Sequence, residues 1–152
     1  MTRRTFLCGL TLGTLSAPLA IQAQQAAKVP RIGFLQLNPA ANPHLREAFL
    51  QGLRDLGYVE GRNVVIEYRS AEGKAERLPA LAAELVALKV DVIVSGGGTP
   101  TALAAKQATR TLPIVFASAA DPVTDGLVTS LARPGGNVTG SSYLAPELMT
   151  SA

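Results

Sequence analysis

The chain has 152 residues, of which 47% are hydrophobic and 16% are charged, enough for one domain of ordinary size with a buried core. Its one cysteine, Cys8, and its one histidine, His44, argue against a disulfide framework and against a clustered metal site. The formal net charge is +3, and the basic residues after the N-terminal region alternate with acidic ones. This alternation is typical of a solvated surface, so we expect no nucleic-acid partner.

The first 23 residues have the features of an export signal. Arg3 and Arg4 precede an uncharged, mostly apolar stretch that ends near the small residue Ala23. The paired arginines resemble a twin-arginine signal, and an ordinary secretory signal fits equally well. Removing this segment lowers the formal net charge from +3 to +1. We therefore expect a periplasmic or other extracytoplasmic protein in which residues 24–30 form a linker.

The next segment predicts a central strand followed by an amphipathic helix. Residues 31–37 are nearly continuously apolar, which is typical of a strand covered on both faces, and a turn follows at Asn38. Residues 44–56 predict a helix that ends at Gly57. Its apolar stripe comprises Leu45, Phe49, Leu53 and Leu56.

Residues 63–69 alternate between apolar and polar side chains, which predicts a strand at the edge of a sheet. Residues 77–88 predict a second helix, in which Pro79 is tolerated because it lies in the first turn. The side chains expected to be buried by this helix are Leu78, Leu81, Leu85 and Leu88.

A β-branched run that begins at Val90 predicts a buried strand leading into Gly96, Gly97 and Gly98. Three glycines allow the backbone to turn with positive φ and allow a ligand to approach unshielded peptide groups. Thr99 is the expected N-cap of the following helix, with Pro100 in its first turn. The free N–H groups at such a helix start attract anionic or polar groups.

Residues 112–117 predict a fourth strand, and residues 138–142 predict a fifth. Between them, Asp121 is the expected cap of a helix that starts at Pro122. The inward-facing side chains of that helix are expected to be Leu127, Val128 and Leu131. A general-base or ligand-binding role for Asp121 remains an alternative to capping.

Strands that alternate with helices predict an α/β three-layer sandwich around a parallel, Rossmann-like sheet of about five strands. Placing the half-polar strand at the edge gives the order 2-1-3-4-5, and ligands bind such sheets at the carboxyl ends of the strands where the chain direction reverses. The candidate ligand-binding residues at these ends are Gln36, Leu37, Asn38, Ser95, Gly96, Gly97, Gly98, Thr99, Ser118, Ala119 and Asp121.

These residues supply binding groups without an evident catalyst. The Gly96–Thr99 stretch lacks the lysine of a Walker phosphate loop and does not match the Gly-x-Gly-x-x-Gly dinucleotide pattern. Ser118 has no histidine or lysine near it in the sequence to activate it, and His44 is expected at the surface. We therefore expect neither an enzyme nor a bound cofactor.

Several phrases carry a family resemblance: Arg31-Ile-Gly-Phe-Leu, the Gly57-Tyr-Val-Glu-Gly-Arg-Asn run, Pro113-Ile-Val-Phe-Ala, Asp121-Pro-Val, and Ala132-Arg-Pro-Gly-Gly-Asn-Val-Thr-Gly. Together they resemble substrate-binding proteins of bacterial ABC transporters, in the group related to tryptophan and tyrosine uptake. The resemblance implies a type I periplasmic-binding-protein fold, in which two α/β lobes close over a small organic solute, such as an amino acid, and deliver it to a membrane permease.

By the same resemblance, residues 31–143 correspond to the first lobe and residues 144–152 to the start of the connection between lobes. Half of a two-lobed cleft offers half of its contacts, so we expect weak or undetectable solute binding by this lobe. Two alternatives remain: a ligand-sensing module for a signalling partner, and a nucleotide- or flavin-binding α/β enzyme domain.

Overall fold

The computed structural model describes residues 28–142, which form a five-stranded parallel sheet flanked by α-helices. The strands are β1 (Arg31–Gln36), β2 (Val65–Ser70), β3 (Val92–Gly96), β4 (Ile114–Ala119) and β5 (Val138–Ser142). The helices are α1 (Pro43–Asp55), α2 (Leu78–Ala87) and α3 (Thr99–Ala108), and a single 3-10 turn (Ala75–Arg77) precedes α2. The expected export signal, the start of the linker and the expected inter-lobe segment lie outside the described residues.

The sheet has the predicted order β2-β1-β3-β4-β5, and each pair of neighbouring strands is parallel. The half-polar strand lies at the edge, as its alternation predicted. Its polar side is not simply solvated, because Arg69 Nε donates a hydrogen bond to Glu84 Oε2 of α2 at 2.8 Å. The predicted fold class is therefore confirmed.

Two separate cores pack against the two faces of the sheet. The larger one joins side chains of α2 and α3, such as Leu85 and Ala105, to Leu35, Ile93 and Ile114 of the central strands. The smaller one lies on the opposite face. There the side chains of α1 pack against Ile32, Phe34, Val64 and Ile66. This division produces the three layers of the sandwich.

Helix α1 covers its face of the sheet with partly buried side chains. The rings of Phe49 and Phe34 stack with their centroids 4.9 Å apart. Gly57, at φ 88°, closes the helix by donating its N–H to Arg54 O, while Tyr58 donates to Leu53 O. The expected burial of Leu56 is wrong, since this residue is 75% exposed. The helix ends at Asp55, so Leu56 lies outside it and does not continue the apolar stripe.

The helix expected to start at Pro122 is absent from the described residues, and a series of turns takes its place. Asp125 N–H bonds to Asp121 O at 3.0 Å, but Gly126 then adopts φ 74° and ends the helical pattern after one turn. Of the residues expected to face inward, Leu127 is buried, whereas Leu131 is 54% exposed.

Two features of residues 28–142 bear on the expected class of protein. No helix in this range has the length and apolar character needed to cross a membrane. Within the same range, no three His, Cys, Asp or Glu side chains cluster so that they are able to hold a metal ion.

Asp91 ties the start of β1 to the turn before β3. Its carboxylate accepts hydrogen bonds from Lys28 Nζ at 2.7 Å and from Arg31 N–H at 2.8 Å. The bond from Lys28, followed by the backbone bond from Arg31, lowers the pKa of Asp91. A carboxyl group whose pKa is lowered by folding stabilises the native state above its unfolded-state pKa, and this stabilisation is lost as the pH falls through the native-state pKa.

We predict that Asp91→Asn lowers the free energy of unfolding by about 1 kcal/mol at neutral pH, because the charged hydrogen bonds are lost. The difference from the wild type should shrink as the pH falls below about 4. Urea unfolding of both proteins, from neutral pH to below about pH 4, measures this difference in the free energy of unfolding. Glu76→Gln, which removes an exposed carboxylate, is the matched control. A deficit in Asp91→Asn that persists unchanged in strong acid would contradict the assignment.

Candidate functional site

A groove lined partly by polar groups lies at the carboxyl edge of the sheet, where β1, β3 and β4 end. It is an open cleft with a volume of about 560 Å³. One wall is the loop between β1 and α1, and the other is formed by the ends of β3 and β4. The lining residues are Ala41, Asn42, Pro43, His44, Leu45, Gly97, Gly98 and Ser118. This volume falls in the range of small-molecule sites.

Gly97 and Gly98 turn the chain from β3 into α3 with φ angles of 98° and 97°. These angles are strained for any residue with a Cβ, so the predicted need for glycine is confirmed at both positions. The positive φ expected at Gly96 is wrong, because Gly96 is the last residue of β3. The expected capping by Thr99 is wrong, because Gly98 is the N-cap and Thr99 is already helical. The Thr99 hydroxyl instead donates to Asp125 Oδ2 at 2.7 Å. No side chain caps the helix, so its first backbone N–H groups have no capping partner at the end of α3 that adjoins the cleft.

Ser118 stands out because it is a non-glycine residue with φ 68°. It lies at an irregularity in the pairing of β4 with β5, where the register shifts between Ala117 and Ala119. A bulge of this kind redirects a side chain, and here the bulged residue is exposed and lines the cleft. Left-handed strain at a non-glycine residue costs about 1 kcal/mol or more and is often found at functional sites.

The other candidate residues lie around the cleft without lining it. Gln36, Ser95 and Ala119 are buried, and Gly96 packs so closely that an added Cβ would lie 2.5 Å from Leu45 Cδ2. Among the described residues, Ser95 Oγ is buried without a hydrogen-bond partner. Leu37 is partly buried against the larger core.

Asn38 and Asp121 each organise a turn next to the cleft. Asn38 Oδ1 accepts a hydrogen bond from Ala40 N–H at 3.0 Å. Asp121 Oδ1 accepts one from Thr124 N–H at the same distance, which is the capping bond predicted for Asp121, although no helix follows. The Thr124 N–H, and then the Thr124 hydroxyl, lower the pKa of Asp121, so its carboxyl group is ionised at neutral pH.

Sequence reasoning missed four residues that line the cleft after the predicted turn at Asn38: Ala41, Asn42, Pro43 and Leu45. They carry no motif, and the one available signal is that they follow the carboxyl end of a central strand. His44, expected at the surface, is indeed exposed, and it also lines the same cleft as Ser118. No hydrogen bond joins these two side chains in the described structure, and His44 Nδ1 lies 3.9 Å from Glu47 Oε2. A serine nucleophile is hydrogen-bonded to its base at about 2.6–3.2 Å, and Ser118 and His44 do not form such a bond.

Comparison with known proteins identifies the relatives of this chain. The profile of a family described as "ABC transporter substrate binding protein" matches residues 37–150. A tyrosine-binding protein of Clostridioides difficile (strain R20291) is 39% identical over 122 residues, which cover 78% of this chain and 34% of that protein. The chain thus spans about a third of the length of this relative.

Two solved structures share both sequence and fold with the chain. A conserved domain protein of Vibrio cholerae is 39% identical, with a TM-score of 0.74, and the match covers 78% of this chain and 40% of that one. An ABC domain of Streptococcus pneumoniae, solved in complex with L-Trp, is 34% identical, with a TM-score of 0.69. That match covers 76% of this chain and 39% of the other.

The glycine turn provides a test of the cleft geometry. We predict that Gly97→Ala lowers the free energy of unfolding by about 1–2 kcal/mol, because a Cβ is strained at this φ angle. Gly52→Ala is the matched control. An added Cβ at Gly52, within α1, meets no atom within 4 Å, so this variant should gain up to about 1 kcal/mol. Chemical denaturation measures both, and equal stability gains in the two variants would contradict the left-handed turn.

Proposed function

The chain belongs to the ABC transporter substrate-binding protein family, and we propose that residues 28–142 form a solute-binding lobe of an extracytoplasmic receptor for an amino acid. The observation that carries the proposal is the cleft at the carboxyl edge of β1, β3 and β4, where ligands bind in sheets of this topology. The named ligands of two relatives, tyrosine and L-Trp, support an amino acid as the solute.

The chemistry of the cleft favours a solute that carries a carboxylate. Its lining offers the Ser118 hydroxyl, the Asn42 amide, the His44 ring and the backbone of Gly97 and Gly98, and none of the lining residues is acidic. The start of α3 adds a positive end of the helix dipole beside these donors. We propose that this wall holds the carboxylate of the amino acid.

The remaining candidate residues support the cleft indirectly in this proposal. Gln36, Ser95, Gly96 and Ala119 lie in the strand ends behind the cleft, and Leu37, Asn38 and Asp121 lie in the flanking turns. A second lobe closes over the solute, and an ABC permease in the membrane receives it. Support for a second lobe comes from the tyrosine-binding relative, of which the matched residues cover 34%.

Relatives of this chain are substrate-binding proteins, which supports a binding role over an enzymatic one. The separation of Ser118 from a hydrogen-bonded base gives further support within the described residues. The proposed site lies outside the cytoplasm, in agreement with the export signal expected in residues 1–23. No observation in the described residues specifically favours a sensor or a nucleotide-binding enzyme.

The proposal is tested by titrating the full chain with L-tyrosine and with L-tryptophan while recording heat of binding and thermal unfolding. A ligand that binds only the native state raises its stability by mass action, so we predict a saturable rise in unfolding temperature for at least one of the two amino acids. A series of matched amines that lack the carboxylate should give no rise. Binding of the amines alone would contradict carboxylate recognition, and no response to any probe would contradict the function.

Ser118→Ala removes the hydroxyl from the cleft. We predict that it weakens binding of the responding amino acid by about tenfold, the loss expected for a hydrogen bond to a charged group. Thr139→Val removes an exposed hydroxyl from β5 and should leave the affinity unchanged. Equal affinity of the Ser118→Ala variant and the wild type would remove Ser118 from the site.

A further inference from the structure

The wall of the cleft that the ends of β3 and β4 form has two parts, which belong to segments far apart in the sequence. Gly97 and Gly98 lead into α3, whereas Ser118 precedes the turns of residues 121–128, here called the 121–128 segment. This segment lacks regular secondary structure, so its position depends on specific contacts. It begins three residues after Ser118, which connects its position to that of the end of β4.

Burial fixes one part of the 121–128 segment. Pro122, Leu127 and Val128 are buried, and Lys106 Nζ of α3 donates to the backbone oxygens of Gly126 at 2.5 Å and of Leu127 at 3.3 Å. These contacts lie toward the last turn of α3. They hold the far side of the segment and leave its cleft side to other interactions.

One side-chain hydrogen bond holds the cleft side. Thr99, the residue directly after the glycine turn, donates from Oγ1 to Asp125 Oδ2 at 2.7 Å. Within residues 28–142 this is the one hydrogen bond that links the Gly96–Thr99 turn to the 121–128 segment. The Asp125 carboxylate also lies at the first turn of α3, a turn that has no acidic residue of its own, where the helix dipole favours negative charge.

We propose that Thr99 and Asp125 form a clamp that sets the spacing between the two parts of this wall, the glycine turn and Ser118. Both are positioning residues: they act on the solute through Gly97, Gly98 and Ser118. The inference rests on the proposed function for its effect on affinity, whereas its effect on the loops stands independently. It also gives the Thr99 hydroxyl a partner within the protein, in contrast to the direct contact with a ligand expected from the sequence.

The experiment compares five variants of the full chain with the wild type, four of them at Thr99 or Asp125. Thr99→Val and Asp125→Ala each remove the hydrogen bond between the two side chains. The double variant combines both substitutions and loses the same single bond. Thr99→Ser keeps the hydroxyl. Thr139→Val is the matched control for loss of a threonine hydroxyl, because Thr139 is exposed on β5. Hydrogen exchange reports on the loops, and titration with L-tyrosine and L-tryptophan reports on the cleft.

The backbone N–H groups of Asp125, Gly126, Leu127 and Val128 form hydrogen bonds within the turns and are the reporters of order in the segment. We expect Thr99→Val and Asp125→Ala to speed exchange of these amides by about fivefold relative to the amides of β1. The affinity for the responding amino acid should fall by a similar factor. Thr99→Ser should behave as the wild type, and the double variant should be no worse than either single one.

Unchanged exchange of the 121–128 amides in Thr99→Val would overturn the clamp. Faster exchange with unaltered affinity, in a chain that binds an amino acid, would overturn the positioning role. If the wild type binds neither amino acid, the proposed function fails instead. The clamp is then decided by whether Thr99→Val, a substitution in α3, speeds exchange in the 121–128 segment.

Discussion

The parallel pairing of β1 with both β2 and β3 is the constraint on which the remaining structure depends. The crossover to β2 places α1 on one face, and the crossovers to β3 and β4 place α2 and α3 on the other. The loops that leave β1 and β3 therefore separate in opposite directions. The cleft is the space left between these two loops.

Burial of the central strands stabilises the strand ends that form the cleft. Leu35, Ile93 and Ile114 are fully buried, so the strand ends are held firmly enough to carry unfavourable backbone angles. The left-handed angles of Gly97 and Ser118 occur within a residue or two of these ends. At Gly97 the absent Cβ removes the cost, whereas at Ser118 the cost is offset by the rest of the fold. Strain at Ser118 exposes a hydroxyl beside the start of α3.

The cleft combines these local features into one kind of surface. Its lining offers hydrogen-bond donors and contains no acidic side chain, and it lies at a helix terminus with a favourable dipole for anions. A solute with a carboxylate satisfies these groups without a catalytic base. This chemistry agrees with membership in a family of substrate-binding proteins and with relatives named for tyrosine and for L-Trp.

The sequence by itself determined the strand number, the parallel order and the glycine turn, because apolar runs, alternation and turn residues are local signals. Only the tertiary structure decided which candidates face the cleft. Ser95 and Ala119 are buried because both faces of the sheet are covered, whereas the register shift in β4 leaves Ser118 exposed. The placement of His44 and Ser118 in one cleft, and the hydrogen bond from Thr99 to Asp125, depend on how distant segments pack, which no local pattern encodes.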